Sequence, residues 1–450
     1  MQQKRIVILG GGESGTGAAI LAKDKGFDVF LSDSGSLAPD YIKVLENEGI
    51  PYEQGGHTPG LILNADEVIK SPGIPPTAPL IVELTAKGTP IISEIEFAGR
   101  YTDAKMVCIT GSNGKTTTTT LITHILRTGG VDASPAGNIG RSLAWQVARE
   151  PHAVYVVELS SFQLENMFDF KANIAVILNI TPDHLDRYDY KMENYTRAKF
   201  RIIRNMTPED VFIYWQDDPI INAQLQQLST EATLMPFGEE QRENTRAFID
   251  AENELVISAA NAPLTMPRAD LALNGLHNLY NSMAAGISAQ LLNVKNNDIR
   301  RALSDFQGVE HRLEYIATIR GVRWINDSKA TNVNSTWYAL ESMPESRTTV
   351  LILGGKDKGN DYSEILPLVR RKVKAIVAMG LHNEKIMEFF KGEVPELVST
   401  ASLADAIAQC ERLAAEGDTV LLSPCCASFD LFTSYVNRGN LFKEAVKSLS

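Results

Sequence analysis

The chain has 450 residues, of which 44% are hydrophobic and 22% are charged, and its formal net charge is −12. Its length exceeds what one hydrophobic core can hold and indicates several domains, while its composition is that of a globular protein. A strongly acidic chain lacks the broad basic face that binds a nucleic-acid duplex, which excludes that partner and leaves any anionic ligand to local cations and backbone amides.

The cysteines and the N-terminus indicate the cell compartment. The chain has four cysteines, Cys108, Cys410, Cys425 and Cys426. They form no Cys-x-x-Cys pair and suggest no disulfide framework, which is typical of a reducing environment. The apolar run at the N-terminus is too short for a signal peptide, and no run of eighteen apolar residues occurs. We therefore expect a cytoplasmic monomer without a membrane partner.

Apolar segments of strand length alternate with helical segments along most of the chain. The helix predicted at 402–417 carries Leu403, Ile407 and Cys410 on one side and charged residues on the other. Such alternation predicts βαβ units and mostly parallel sheets, with the strands becoming irregular around 215–265. The clearest predicted strands are 5–10, 28–33, 67–73, 105–111, 153–160, 174–181, 321–327, 348–355, 374–380 and 418–424.

The first predicted strand leads into a glycine-rich turn, IVILGGGESGTGAA at 6–19. Gly10, Gly12 and Gly15 form Gly-x-Gly-x-x-Gly ahead of a helix, and Asp33 ends the next strand. Glycines at these positions permit a tight turn and let the backbone approach a diphosphate at the helix N-terminus. The pattern read alone suggests NAD, but it specifies only the diphosphate, so the attached base stays open. A glycine turn without a ligand is the other alternative.

A second glycine turn follows the strand predicted at 105–111 and has the features of a P-loop. Lys115 suits the β- and γ-phosphate oxygens of a nucleotide, and the Thr116 hydroxyl suits Mg²⁺. Ile109 stands where the full Walker pattern has glycine, but the position between an apolar strand and a Thr-rich helix favours ATP binding. The predicted nucleotide loop comprises Gly111, Ser112, Asn113, Gly114, Lys115, Thr116 and Thr117.

Polar side chains follow two further strands at their carboxyl ends. Glu158 ends the strand VYVVE, where a carboxylate can hold Mg²⁺ directly or through water. Asp183, His184 and Asp186 follow the strand predicted at 174–181, at the edge where open α/β sheets bind ligands. A histidine beside two carboxylates at this edge is a candidate for metal binding or acid–base catalysis.

Three strand-end loops in the last third of the chain carry cations and hydroxyl groups. Because such groups bind carboxylates and phosphates, these loops predict an anion pocket on the last domain. The residues concerned are Asp327, Lys329, Thr331, Lys356, Lys358, Ser428 and Phe429.

The predicted elements divide into three α/β domains, with boundaries expected near 97 and near 307–311. We expect a Rossmann-like N-terminal domain at 1–97 and a central P-loop ATPase-type domain with a mostly parallel sheet at 98–307. A C-terminal Rossmann-like α/β domain is expected at 308–450.

Several motifs occur together in one order: TGSNGKTTT, ELSSFQLE, NITPDHLDRY, YTRAKFRI, GLHNLYNSMAA, GVEHRLE and NDSKATN. Together they resemble the muramyl ligases, the ATP-dependent amino-acid-adding enzymes of peptidoglycan synthesis, over nearly the whole chain. SPGIP at 71–75, GGKDKG and SPCCASFDLF are similar to the branch that adds D-glutamate. The Asp-Asn-Pro-Arg motif of the relatives that add diaminopimelate or lysine is absent from the sequence.

This resemblance implies a reaction and a set of reactants. UDP-N-acetylmuramoyl-L-alanine would bind the N-terminal domain, ATP the central domain and D-glutamate the C-terminal domain. ATP would phosphorylate the alanyl carboxylate, and the D-glutamate amine would attack the resulting acyl phosphate. The resemblance also implies two Mg²⁺ ions, held by Thr116 with Glu158 and by His184 with Lys199. Lys199 taken alone reads as an exposed helical lysine, but in this family the matching lysine is carbamylated and binds a metal.

The remaining roles are likewise implied only by the resemblance. The catalytic positions are Lys115, Glu158, His184, Lys199 and Lys329. On the nucleotide, Asn278 and Asn281 lie on the adenine side, and Arg312 and Asp327 contact the triphosphate and ribose. The UDP substrate is assigned to Gly12, Glu13, Ser14, Asp33, Ser34, Gly73 and Asn138, and D-glutamate to His184, Thr331, Lys358, Ser428, Phe429 and Tyr435.

Three hypotheses of function stay in view. The first is the D-glutamate-adding ligase. The second keeps the ligase chemistry with another acceptor, as in folylpolyglutamate synthases or other muramyl ligases. The intact Gly-x-Gly-x-x-Gly and the C-terminal CCASFD speak against it. The third is an NAD-dependent dehydrogenase in which the P-loop has no catalytic part.

Overall fold

The computed structural model describes residues 3–260, 262–273 and 275–449. These residues form three sheets flanked by helices, which is the three-domain α/β architecture that the sequence predicts. The chain separates into two compact units, and the first two sheets belong to one of them. The units comprise Met1–Leu271 with Tyr280–Phe306, and Ala272–Leu279 with Gln307–Ser450.

The N-terminal sheet is built from short, buried apolar strands that alternate with helices. Its strands are β1 (Arg5–Leu9), β2 (Asp28–Asp33), β3 (Tyr52–Gln54), β4 (Glu67–Lys70) and β5 (Ile91–Ile92). Its helices are α1 (Glu13–Asp24), α2 (Pro39–Asn47), α3 (Pro59–Ile62), α4 (Pro79–Ala86) and α5 (Glu94–Gly99). All these strands are parallel, in the order β3-β2-β1-β4-β5, so their carboxyl ends lie along one edge.

The central sheet combines a parallel body with an antiparallel edge. Its strands are β6 (Lys105–Thr110), β7 (Ala133–Gly137), β8 (Val154–Glu158), β9 (Ile174–Ile177), β10 (Val211–Trp215), β11 (Thr233–Phe237), β12 (Ala247–Ile249), β13 (Glu254–Ile257) and β14 (Leu264–Pro267). Its helices are α6 (Lys115–Thr128), α7 (Leu143–Arg149), α8 (Ser161–Leu164), α9 (Met192–Phe200), α10 (Pro219–Leu225), α11 (Leu276–Leu291) and α12 (Asn296–Asp305). The order is β14-β13-β12-β11-β10-β9-β6-β8-β7, with β12, β13 and β14 antiparallel.

The third sheet forms the core of the second unit. Its strands are β15 (Glu314–Ile319), β16 (Val322–Asn326), β17 (Thr349–Gly354), β18 (Val373–Met379), β19 (Glu396–Thr400) and β20 (Thr419–Cys425). Its helices are α13 (Val333–Glu341), α14 (Leu366–Lys372), α15 (Glu384–Phe389), α16 (Leu403–Leu413) and α17 (Tyr435–Lys447). The order is β15-β16-β20-β17-β18-β19, and all pairs except β15–β16 are parallel.

The strands expected from the sequence are confirmed, and one expectation is wrong. The segment 215–265, expected to lack regular strands, contains β11 to β14. These strands have three to five residues and several half-exposed positions, so their apolar pattern is weak. The domain limits at 97 and 307–311 stay a prediction. No helix of the described residues is both long and apolar enough to cross a membrane.

The first two sheets share one continuous hydrophobic core. Residues of β1 and α1 pack in the same buried cluster as residues of β6, α7 and β8. Helix α1 approaches the start of α7 so closely that a Cβ on Gly17 would lie 2.0 Å from the Ser142 Oγ. The turn that carries the first glycine motif is therefore fixed against the central sheet by the packing of α1.

The glycine turn of the first sheet yields a paired prediction about stability. A Cβ on Gly15 would lie 1.8 Å from the carbonyl oxygen of Gly10, whereas a Cβ on Gly12 would meet no atom within 4 Å. We expect Gly15→Ala to lower the free energy of unfolding by about 2 kcal/mol or more, because the turn must open to admit the methyl group. Gly12→Ala, measured by the same chemical denaturation, is the control and should change stability little. Equal stability of the two variants would contradict the close packing.

Candidate active site

The second glycine turn connects β6 to α6 in a conformation that requires glycine. Gly111 has a φ of +145° and Gly114 a φ of +86°, both in the region that side chains disfavour. A Cβ on Gly111 would lie 3.2 Å from the Cβ of Leu178 and 3.3 Å from the backbone of Asn179. Helix α6 begins at Lys115 directly after this turn, so its N-terminus faces the loop, as the sequence predicts for a nucleotide-binding P-loop.

Asn179 holds this P-loop in place and is a residue that the sequence analysis did not single out. Its side-chain oxygen accepts a hydrogen bond from the Asn113 N–H at 2.9 Å, and its amide donates to the Asn113 carbonyl at 3.0 Å. The Asn179 carbonyl accepts a further bond from the Ser112 N–H. The Ser112 hydroxyl donates to the Thr181 carbonyl at 2.8 Å and lies 3.1 Å from the Tyr195 hydroxyl. These hydrogen bonds within the protein shape the loop.

Two lysine side chains converge on one carbonyl oxygen of the P-loop. The Lys115 ammonium donates to Gly111 O at 2.9 Å and to Ser112 O at 2.8 Å. The Lys199 amine donates to the same Gly111 O at 2.7 Å and lies 4.6 Å from the centre of the Tyr195 ring. Lys199 is only 2% exposed, so the reading of this residue as an exposed helical lysine is wrong. Burial, and then the charge of Lys115, lower the pKa of Lys199 well below its usual value.

Glu158 ends β8 in a buried position. One of its carboxylate oxygens accepts a hydrogen bond from the Asn138 amide at 3.0 Å, and its other oxygen is buried without a hydrogen-bond partner. Glu158 is 2% exposed, and its charge acts on the pKa of Lys199. A buried carboxylate oxygen with no donor is suited to a divalent cation.

His184 lies on a loop whose backbone is held by aromatic packing. It has a φ of +51° and precedes a short 3₁₀ helix, Leu185–Arg187. Its imidazole Nε2 is 3.6 Å from a carboxylate oxygen of Asp183, and its ring centre is 5.3 Å from that of Phe162. The Arg187 guanidinium stacks on the same Phe162 ring at 4.2 Å. Phe162 therefore fixes the loop that carries His184, while the imidazole stays partly exposed.

The two metal sites expected, at Thr116 with Glu158 and at His184 with Lys199, stay a prediction. Within the described residues, no group of three or more His, Cys, Asp or Glu side chains is close enough to hold a metal ion. Mg²⁺ in nucleotide sites commonly takes one or two protein carboxylates and completes its shell with water and phosphate oxygens. The partnerless oxygen of Glu158 fits that kind of site.

The first glycine motif forms an open helix start, which we call the diphosphate loop (residues 10–15). Gly12 is exposed and precedes α1 without any side chain capping the helix. The Asp33 carboxylate accepts hydrogen bonds from the Gly11 N–H at 2.6 Å and from the Gly35 N–H at 2.7 Å. The other residues expected to contact the UDP substrate are partly or fully exposed. They are Ser14, Ser34, Gly73 and Asn138.

Glu13 of the diphosphate loop joins the N-terminal sheet to the central one. One of its oxygens accepts a hydrogen bond from the Ser142 N–H at 3.0 Å, and the other from the Tyr41 hydroxyl at 3.2 Å. The second oxygen is also 3.8 Å from the guanidinium of Arg141. Both oxygens of the Glu13 carboxylate thus have partners within the protein. The expected contact of Glu13 with the UDP substrate stays a prediction.

In the second unit, the three predicted strand-end loops lie side by side. They follow β16, β20 and β17, which are adjacent in the sheet, and Lys356 pairs with Ala427 between two of the loops. Ser428 is 2% exposed, whereas Lys358 is exposed and Phe429 is 67% exposed. The sequence prediction that these loops share one edge of the sheet is therefore confirmed, and their joint role in amino-acid binding stays a prediction.

Asp327 and Lys329 follow β16 and differ in their surroundings. The Asp327 carboxylate is buried, accepts hydrogen bonds from the Ser423 hydroxyl at 2.8 Å and the Leu313 N–H at 3.2 Å, and has its pKa raised to about 7 by burial. Lys329 has its ammonium 5.4 Å from the centre of the Tyr435 ring. Arg438, which the sequence analysis did not single out, is fully buried beneath this loop and donates to the Ser328 hydroxyl and carbonyl.

The residues assigned to the adenine and triphosphate fall into both units. Asn281 is buried in the first unit, where its side-chain oxygen accepts a hydrogen bond from the Thr118 hydroxyl on α6 at 3.1 Å. Asn278, Arg312 and Thr331 belong to the second unit and are partly exposed there. Their contact with a nucleotide or an amino acid stays a prediction.

Models of three protein-family domains together match most of the chain. Residues 5–80 match the model of the MurD N-terminal domain, and residues 109–289 match that of the Mur ligase middle domain. Residues 311–426 match the model described as Mur ligase, glutamate ligase domain. The three matches occur in the order of the three sheets.

Solved structures of related enzymes share the fold. UDP-N-acetylmuramate-alanine ligase MurC from Thermotoga maritima has a TM-score of 0.63 at 19% identity, with all of both chains covered. MurF ligase from Thermotoga maritima, solved in complex with ADP, has a TM-score of 0.61 at 14% identity and covers 94% of this chain and 96% of its own. At such identities the likeness concerns the architecture alone.

Curated relatives are far more similar in sequence. One from Bacteroides fragilis is 60% identical over 99% of this chain and 100% of its own length, and one from Porphyromonas gingivalis is 56% identical over 99% and 98%. Both are named UDP-N-acetylmuramoylalanine--D-glutamate ligase. These findings confirm the muramyl ligase resemblance and exclude the dehydrogenase hypothesis. The chain belongs to the Mur ligase family, and within it to the UDP-N-acetylmuramoylalanine--D-glutamate ligases, which are ATP-dependent enzymes that form an amide bond.

Proposed function

We propose that this chain joins D-glutamate to the alanyl carboxylate of UDP-N-acetylmuramoyl-L-alanine, with ATP as the phosphoryl donor, in the cytoplasm. The observation that carries the proposal is the presence of two anion-binding loops in one unit, the diphosphate loop before α1 and the P-loop before α6. One loop suits the diphosphate of a UDP-linked acid, and the other suits a nucleoside triphosphate.

The chemistry explains why both anions must bind at once. An amine does not displace the oxygen of a carboxylate at neutral pH, so the carboxylate first needs a leaving group. A carboxylate oxygen attacks the γ-phosphorus of ATP, ADP leaves, and an acyl phosphate forms. The neutral amine of D-glutamate then attacks the acyl carbon, inorganic phosphate leaves, and the amine gives up a proton as the amide forms. Lys115 would offset the negative charge that gathers when the carboxylate meets the triphosphate.

The residues present fit the Mg²⁺ ions that this reaction class uses. Thr116 and the buried carboxylate of Glu158 would hold one ion, and His184 and Lys199 would hold the other. The ions would supply positive charge for the phosphate oxygens and orient them. Lys199 would bind a cation only after its neutral amine adds to carbon dioxide and loses a proton, which leaves an anionic carbamate whose oxygens can be metal ligands. Its lowered pKa supports the neutral amine that this step requires.

The C-terminal domain would supply the acceptor amino acid and part of the nucleotide site. Lys329 would act next to the transferred phosphate, and Arg312, Asp327 and Asn278 would contact the nucleotide. D-Glutamate carries two carboxylates, which suits a pocket of cations and hydroxyl groups. In this domain, that pocket would comprise Thr331, Lys358, Ser428, Phe429 and Tyr435.

Release of inorganic phosphate from ATP tests the whole proposal. We expect release only when UDP-N-acetylmuramoyl-L-alanine and D-glutamate are both present, because the acyl phosphate needs the first and its productive breakdown needs the second. A Lys115→Met variant serves as the inactive control. Turnover with L-glutamate or meso-diaminopimelate in place of D-glutamate would contradict the assigned acceptor.

Lys199 yields a separate prediction about metal binding. We expect Lys199→Ala to reduce turnover by about 100-fold or more, because a ligand of the metal is lost, and short-chain carboxylates should partly restore the rate by filling the gap. The P-loop should keep its shape, since Gly111 O still accepts a hydrogen bond from Lys115. Lys191→Ala is the matched control, because Lys191 is exposed at the start of the same helix, α9. Full activity of Lys199→Ala would remove this residue from the site.

A further inference from the structure

The diphosphate loop has the wrong charge for its expected ligand. The ionisable side chain of residues 10–15 is Glu13, which carries a negative charge. The Asp33 carboxylate, which accepts the Gly11 N–H, adds a second negative charge beside the loop. A diphosphate brings two or more negative charges next to these carboxylates, in a chain whose net charge is −12. Backbone amides contribute only partial charges, so a cation beside the loop would strengthen diphosphate binding.

Arg141 is the cation that reaches this loop. Among the ion pairs of the described residues, the one that involves a residue of the diphosphate loop joins Arg141 to Glu13, at 3.8 Å. This distance is too long for a hydrogen bond, and the Arg141 guanidinium donates none to the described residues. The side chain is 47% exposed, so its donor groups face solvent beside the loop.

The position of Arg141 is fixed by its neighbours. Its guanidinium stacks on the Trp145 ring at 4.4 Å, and its backbone carbonyl accepts a hydrogen bond from the Gln146 amide. The next residue, Ser142, caps α7 and donates its N–H to Glu13, so the chain at Arg141 is bound to the diphosphate loop itself. A stacked guanidinium loses less conformational freedom on binding an anion than an unrestrained side chain does.

We propose that Arg141 binds the diphosphate of the UDP-linked substrate from the central domain and thereby completes the site on the N-terminal domain. The inference rests on the proposed function for the identity of the ligand. A guanidinium presents paired N–H groups that match two phosphate oxygens, which an exposed ion pair with Glu13 at 3.8 Å leaves available. As an exposed pair alone, Arg141 and Glu13 would contribute little to stability.

Calorimetric binding of UDP and of uridine to the full chain tests this inference. We expect Arg141→Met to weaken UDP binding about tenfold or more and to leave uridine binding unchanged, because only UDP carries the diphosphate. Arg141→Lys should bind UDP more tightly than Arg141→Met and less tightly than the wild type, since lysine keeps the charge but lacks the paired donors. The same order should appear in the KM for UDP-N-acetylmuramoyl-L-alanine, with the KM for ATP unchanged.

Arg149, at the C-terminal end of α7, provides a matched control for Arg141, which lies just before the N-cap of that helix. It ends α7 and forms ion pairs with Asp24 and with Glu48 of the N-terminal sheet, so Arg149→Met removes the same charge and also cuts a contact between the two sheets. We expect this variant to bind UDP as the wild type does. Equal weakening of UDP binding by Arg149→Met would show a general charge or packing effect and would overturn the inference.

A double variant separates direct binding from charge neutralisation. In Arg141→Met with Glu13→Gln, the repulsive carboxylate is absent, so UDP binding should stay weak only if Arg141 itself contacts the diphosphate. Recovery of wild-type affinity would overturn direct binding, as would wild-type affinity of Arg141→Met alone. A wild-type chain that neither binds UDP nor turns over the UDP-linked substrate would instead contradict the proposed function, so the two failures are distinguishable.

Discussion

Two lysine side chains donate to one carbonyl oxygen, and the candidate active site depends on which of them carries a positive charge. Lys115 and Lys199 both donate to Gly111 O, in a buried place where the effective dielectric is low and like charges repel strongly. Burial of the Lys199 amine, and then the charge of Lys115, lower the pKa of Lys199 well below its usual value. A neutral amine is also the form that reacts with carbon dioxide. Burial and the neighbouring charge therefore both favour the neutral amine of Lys199, the form that the proposed carbamylation requires.

Carboxylate side chains of the N-terminal domain accept hydrogen bonds from the central domain and thereby hold the diphosphate loop in place relative to the P-loop. Glu13 accepts the Ser142 N–H and Glu94 accepts the Ala144 N–H, so two side chains of the N-terminal domain bind the first turn of α7. Glu94 is fully buried, and burial raises its pKa to about 8. Glu96 accepts the backbone N–H groups of the segment 168–170 in the same way. Such directional bonds, together with the shared core, hold the diphosphate loop in a fixed position relative to β8 and Glu158.

The sequence predicted the elements that depend on long apolar runs and missed those that depend on tertiary context. Parallel strands such as β6 and β17 are buried on both faces and read as continuous apolar segments, so they were found. Strands β11 to β14 are short and half-exposed, and their pattern does not differ enough from that of a loop. Lys199 illustrates the limit for the site, because the spacing of its helix says nothing about the P-loop that packs over it. Asn179 carried a signal, since it follows an apolar strand, but only the fold reveals that the P-loop is its partner.

The glycine motif of the N-terminal domain shows why a diphosphate fingerprint does not identify a nucleotide. In a dinucleotide site, the acidic residue that ends the second strand accepts hydrogen bonds from the ribose hydroxyls. Here that residue is Asp33, and each of its carboxylate oxygens accepts a backbone N–H of the adjacent turns, from Gly11 and from Gly35. The carboxylate therefore shapes the loop through these two bonds. The glycines fix how closely a diphosphate can approach, and they leave open which molecule carries it.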